Sequence, residues 1–166
     1  GELGESAGAA LLDVGERTDW DRVAEAIERR HGRLDVLVNN AGISGLGDID
    51  HIDTEFWERF QRINADSIFH SVQAIAPLLR ASGHAAIVNV GSLLALRPSA
   101  ALPAYSAAKA SLRAQTKAYA LHFAEKGEYV RVNAVHPGST LTPMMEANLG
   151  ASEGERAANY ARRVAA

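Results

Sequence analysis

The chain has 166 residues, enough for one domain with a hydrophobic core of its own. Its 17 basic and 20 acidic side chains leave a net charge of −3 and are scattered, so the basic stripe of a nucleic-acid binder is missing. The absence of cysteine excludes disulfides, iron–sulfur clusters and cysteine-bound zinc, and the dispersed His31, His51, His70, His84, His122 and His136 offer no HExxH pair, so no metal site is expected.

Short apolar runs alternate with longer periodic ones along the chain. Residues 9–14 (AALLDV) read as a first buried strand ending in an acid. Thr18 or Asp19 is the expected cap of a helix to about Arg30, with Trp20, Val23, Ala24 and Ile27 on one face and Gly32 just beyond. Residues 34–38 (LDVLV) are the second strand candidate, followed by a turn-rich stretch to Asp53. Thr54 opens a long helical pattern to about Arg80, and Pro77 near its end is expected to bend the last turns. Residues 86–90 (AIVNV) read as a third strand, followed by a loop carrying Arg97, Pro98 and Pro103. A helix over about 104–124, a fourth strand over 129–135 (YVRVNAV) and one or two weaker alanine-rich helices complete the order.

This alternation, with near-continuous apolar strands, predicts one α/β domain over residues 1–166 whose parallel sheet is covered on both faces. No run is long enough to cross a bilayer and no secretory signal opens the chain, so a cytoplasmic protein with no membrane partner is expected.

A parallel sheet binds its ligands beyond the carboxyl ends of its strands. Asp13, Asn39-Asn40, Ser92 and His136-Pro137-Gly138 follow the four predicted strands, so polar or backbone-exposing groups converge on one edge. Tyr105 and Lys109 are one helical turn apart and share a face. An ammonium near a phenol stabilises the phenolate and lowers its pKa from about 10, which suits proton exchange with a substrate hydroxyl. By itself such a pair also fits a solvated helix face. Ser92 lies where its hydroxyl can reach the same edge, although a loop serine or a helix cap fits it equally. Asn64, inside a predicted helix, fits a solvent-facing residue, or a buried amide that needs a partner and supports a water chain.

Several motifs, in order, make the chain similar to the short-chain dehydrogenase/reductase family from end to end. They are Asn39-Asn40-Ala41-Gly42 (NNAG) after a strand, Ser92 thirteen positions before Tyr105, and Tyr105-Ser106-Ala107-Ala108-Lys109 (YxxxK). Residues 132–138 (VNAVHPG), Thr142-Pro143-Met144 and the Asp13-Val14 pair complete the match. The resemblance implies a Rossmann-like three-layer sandwich and an NAD- or NADP-dependent oxidoreductase acting on an alcohol or ketone. It implies that Tyr105 is the general acid/base, that Lys109 lowers its pKa and bonds the nicotinamide ribose, and that Ser92 holds the substrate oxygen. Asn64 takes part in a proton relay through water. Asp13 and Val14 line an adenine pocket, with Asn40, Ala41 and Gly42 near the adenosine ribose. Pro137, Gly138, Thr140 and Thr142 lie beside the nicotinamide. Residues 135–145 (VHPGSTLTPMM) resemble the matching stretch of some bacterial hydroxysteroid dehydrogenases, and Leu93, Leu94, Leu96, Met144 and Met145 are the expected apolar mouth, or else plain packing.

The family's glycine-rich loop, its opening βαβα segment and its last helix and strand find no counterpart here, so the stretch reads as a piece of a longer enzyme in preference to a natural remnant. The residue that would select NAD or NADP falls in the missing part. Two alternatives stay open: a non-catalytic remnant or assembly subunit of the same fold, and a cofactor-independent lyase of halohydrin dehalogenase type, against which Lys109 in place of arginine counts. The helices bearing Asn64 and Tyr105 resemble those that pair across subunits in the family, so a homodimer or homotetramer is expected.

Overall fold

The computed structural model describes residues 7–146, 149–150 and 152–164, with side chains described up to residue 161. Three strands, β1 (Val36–Asn39), β2 (Ala85–Val90) and β3 (Val130–Val135), form a parallel sheet in the order β1-β2-β3. The register sets Asn39 opposite Asn89, and Val90 opposite Val135, so the strands end level at one edge.

Helix α1 (Arg17–His31) is preceded by Glu16, two or three residues before the expected cap at Thr18 or Asp19. Glu16 precedes it without a side-chain cap bond, while Asp19 lies inside its first turn. Gly32 ends it at φ 69°, a left-handed conformation that glycine adopts without a Cβ penalty. The long helical pattern from Thr54 forms as α2 (Thr54–Gln61), a π-helical turn (Arg62–Asp66) and α3 (Ser67–Ser82), with Pro77 inside α3. Asp53 caps α2, its carboxylate accepting from the Phe56 amide at 2.7 Å. Helix α4 (Pro103–Glu125) begins on a proline, whose missing N–H costs nothing in the first turn. Two short helices, α5 (Pro143–Glu146) and α6 (Glu153–Val164), follow β3.

Strand alternation divides the sheet into two unlike faces. Leu37, Ile87, Val130 and Val132 point into a core made with Val72, Ile75, Leu79, Trp20 and Phe123. Helices α1, α3 and α4 therefore supply one helical layer. Val36, Val38 and Val135, on the opposite face, are about half exposed. The expected cover on both faces thus exists on one face among the described residues, which build two of the three layers.

The expected strand over residues 9–14 is not formed. No strand pairs with this segment, so its backbone has no ladder to join, and Leu11 is 88% exposed. Leu12 and Val14 still pack at the rim of the core, and the Trp20 indole donates to the Val14 carbonyl at 2.9 Å.

A buried chain of polar groups ties the sheet to α4. The Asn39 amide donates to Asn89 Oδ1 at 2.8 Å, the Asn89 amide donates to Thr116 Oγ1 at 2.9 Å, and the Thr116 hydroxyl donates to the Leu112 carbonyl at 2.8 Å. Buried polar groups are tolerated only when paired in this way. Replacing Asn89 by alanine orphans the Asn39 donor, so the Asn89→Ala variant should lose about 1–3 kcal/mol in urea unfolding. An unchanged midpoint would mean that water already serves these amides.

Candidate active site

The carboxyl ends of all three strands open into one crevice of about 910 Å³. The β1 end contributes Asn40, Ala41 and Gly42; the β2 end contributes Val90, Gly91 and Ser92; and the turn after β3 contributes Pro137 and Gly138. Helix α4 brings Tyr105 and Lys109 on one face, as their four-residue spacing requires, and Asn64 comes from the π-helical turn. Thr140 and Thr142 complete the wall.

Ser92 and Tyr105 line the same crevice, and the serine hydroxyl is near enough to the phenol to oppose part of the effect of burial on it. The Ser92 Oγ also accepts from the Leu94 amide at 3.1 Å and so caps a 3₁₀ turn (Leu93–Ala95), which makes the serine a cap and a site residue together. The Lys109 ammonium donates to the Val90 carbonyl at 2.8 Å and lies 5.7 Å from the centroid of the Tyr105 ring.

Asn64 is buried, in contrast to the solvent-facing alternative. Its Oδ1 accepts from the Ile43 amide at 3.1 Å and its amide donates to the Phe60 carbonyl at 3.1 Å. A π-helical turn inserts one extra residue per turn and re-aims the side chains on it. Gly42 is the complement to this arrangement: a Cβ there would stand 2.8 Å from Asn64 Oδ1 and 3.5 Å from the Lys109 ammonium.

The pair expected at the adenine lies apart from the groups gathered here. Asp13 and Val14 do not line the crevice. The Asp13 carboxylate accepts from the Gly15 amide at 2.9 Å and faces Arg62 at 3.6 Å, which makes it part of a turn bridging to the π-helical segment. Leu96 is also outside the lining and half exposed, whereas Leu93, Leu94, Met144 and Met145 are in it. The 3₁₀ turn rotates Leu96 past the wall, a local geometry that hydropathy alone does not register.

Sequence reasoning also missed Leu46, Leu102 and Arg97 in the wall, and the role of His136. The His136 Nδ1 lies 3.3 Å from the Ser92 amide nitrogen and 3.1 Å from the Ser92 carbonyl, and Gly91 leaves the space that its ring occupies. The available signal was position: His136 follows β3, the strand beside the one that Ser92 follows.

The electrostatics differ from the simple expectation of a depressed phenol. Burial raises the Tyr105 pKa above its ordinary value, and the Ser92 hydroxyl opposes this without overturning it. Burial also lowers the Lys109 pKa to about 8. The ammonium is held against a main-chain carbonyl, so its partner is not the phenol oxygen.

Over residues 1–152 the sequence matches the family short chain dehydrogenase. The chain belongs to this family. It is 39% identical over 148 residues to the 3-beta-hydroxysteroid dehydrogenase of Comamonas testosteroni, covering 89% of this chain and 58% of that protein. It is 38% identical to the cyclopentanol dehydrogenase of the same species, over 88% of this chain and 58% of that protein. A crystal structure of a protein of short-chain dehydrogenase/reductase type from Burkholderia xenovorans superimposes with a TM-score of 0.85 at 31% identity, over 94% of this chain and 59% of that one. The chain thus spans a little over half the length of these relatives, and the fold is the Rossmann-like one of short-chain dehydrogenases, here in part.

The lysine yields a pH prediction. Folded Lys109 releases its proton near 8 and an unfolded lysine near 10.5, so between those values the unfolded chain holds more protons. Stability relative to Lys109→Met should therefore rise with pH across this window, by up to about 3 kcal/mol. Denaturant unfolding of both proteins at pH 7.5–10 measures it, and a flat difference would show that the Val90 carbonyl already offsets the burial.

Proposed function

We propose that the protein is an oxidoreductase that interconverts an alcohol and a ketone with NAD or NADP, Tyr105 exchanging the proton of the substrate oxygen. The observation that carries this reading is the convergence of Ser92, Tyr105 and a buried Lys109 in one crevice at the strand ends. Motif matches alone leave these groups as separate stretches of chain.

The residues present suit the nicotinamide half of a dinucleotide. Gly42 has no side chain where Asn64 and Lys109 come close, and Gly138 has open space around its Cα, so backbone can approach a ligand at both turns. In this reading Pro137, Gly138, Thr140 and Thr142 hold the nicotinamide, Lys109 bonds its ribose, and Asn40, Ala41 and Gly42 take the adenosine ribose. Asp13 and Val14 are assigned to the adenine. When bound, the cofactor supplies or accepts the hydride.

The chain's own groups handle the proton. A phenol with a raised pKa is fully protonated near neutrality, so Tyr105 is ready to donate to a carbonyl oxygen. In the reverse direction it must accept a proton, and the cation beside its ring favours the resulting phenolate. Ser92 Oγ donates to the same substrate oxygen and holds it near Tyr105. Asn64 supports a water that passes the proton on through Lys109. Leu46, Leu93, Leu94 and Leu102 favour an apolar substrate body, in keeping with relatives named for steroid and cyclic alcohols. Cytoplasmic residence and a homodimer or homotetramer belong to the same reading; Trp57, Phe69 and Leu121, exposed on α2, α3 and α4, suit contact with a second copy.

Nicotinamide absorbance, followed on the full-length protein with steroid, cyclic and linear ketones and both cofactors, tests the reaction. Tyr105→Phe should cut kcat at least about 100-fold and Ser92→Ala should cut it as well, with an unchanged circular dichroism spectrum. Near-normal turnover by Tyr105→Phe would remove the assignment.

A further inference from the structure

The crevice wall carries two cations, Lys109 and Arg97, and no carboxylate, in a chain that has more acidic than basic side chains. Lys109 is committed to the Val90 carbonyl. Arg97 is not committed. Its backbone amide closes the 3₁₀ turn on the Leu93 carbonyl at 3.0 Å, but among the described residues its guanidinium makes no ion pair or hydrogen bond. Arg17, Arg22, Arg62 and Arg80 each have an acidic partner, whereas Arg97, like Arg30, Arg59, Arg113 and Arg131, has none among the described residues; of these unpaired arginines it is Arg97 that lines the crevice.

Its place in the chain narrows what can face it. Arg97 belongs to the segment between Ser92 and Tyr105, apart from the turns at 40–42 and 137–142 that the proposed reading gives to the dinucleotide. Its companions in the wall are Leu93, Leu94, Pro98 and Leu102. A ligand contacting this wall therefore meets an apolar surface that ends in one positive charge.

We propose that Arg97 receives a carboxylate at the far end of an apolar alcohol or ketone whose reacting carbon lies at Tyr105. The inference rests on the oxidoreductase reading above and names its substrate class as an anion-tailed hydrophobic carbonyl compound. A guanidinium presents a planar fork that matches a carboxylate with two parallel hydrogen bonds. Arg97 is exposed, so such a pair stays sensitive to salt, and its effect is to orient a long apolar body that hydrophobic contact alone leaves free to slide.

The test uses the full-length protein and two probes of one body, a steroid ketone with a carboxylate side chain and its methyl ester. Calorimetry should show the acid binding wild type about tenfold more tightly than the ester. Arg97→Gln should remove that advantage while ester binding stays within twofold, and added salt should erode it for wild type alone. In turnover the Arg97→Gln change should fall on KM for the acid and leave kcat unchanged. Equal binding of acid and ester, binding of neither, or an advantage that survives Arg97→Gln would overturn the inference and make Arg97 a solvated surface cation. Arg97-dependent binding without turnover of either ketone would instead overturn the oxidoreductase reading and leave the anion seat standing.

Discussion

The hydrogen bond from the buried Lys109 ammonium to the Val90 carbonyl ties α4 to the end of β2, and the rest of the site follows from that junction. Tyr105 stands one turn before Lys109, and Ser92 stands two residues after Val90. One contact between a helix and a strand end therefore brings the serine and the phenol into one crevice. The Asn89–Thr116 bond repeats the tie two turns further along α4 and fixes how the helix lies across the sheet. A charged group so deeply buried is costly unless its donors are satisfied, and here part of that cost is met by a backbone acceptor exposed where the strand ladder stops.

The electrostatic balance that results is one of burial against pairing. Desolvation moves the phenol toward its neutral form and the amine toward its neutral form, so both proton positions become responsive to whatever enters the crevice. In the proposed reaction a neutral phenol favours the donating direction, and a cation beside the ring limits how far the accepting direction is disfavoured. The site is also open on one side: the exposed apolar residues of β1 and β3 lie on the face that the described residues leave without helices.

Much of this was legible in the chain as letters. Three of the four expected strands and the three long helices appear within a few residues of their predicted bounds, because apolar periodicity, Gly32 and Pro103 act locally. The strand ends also announced their polar residues, since a parallel sheet presents its carboxyl edge to ligands. Residues 9–14 failed for a non-local reason: apolar spacing describes a strand's faces, while its backbone bonds depend on a neighbour. Asn64 was ambiguous because its burial depends on a π-helical turn, which leaves no distinct signature in hydropathy.

What the sequence by itself determined is the set of candidate site groups and their pairwise spacing: a phenol and an amine on one helix face, a serine after an apolar strand, and small residues at the turns. These are properties of short stretches, where covalent geometry dictates which side chains can share a face. What only the tertiary structure decided is the environment of those groups. The tertiary packing set the direction of the pKa shifts, gave Lys109 a carbonyl partner and placed Arg97 in the crevice wall. Burial and charge environment are sums over neighbours distant in the chain, so no local pattern contains them.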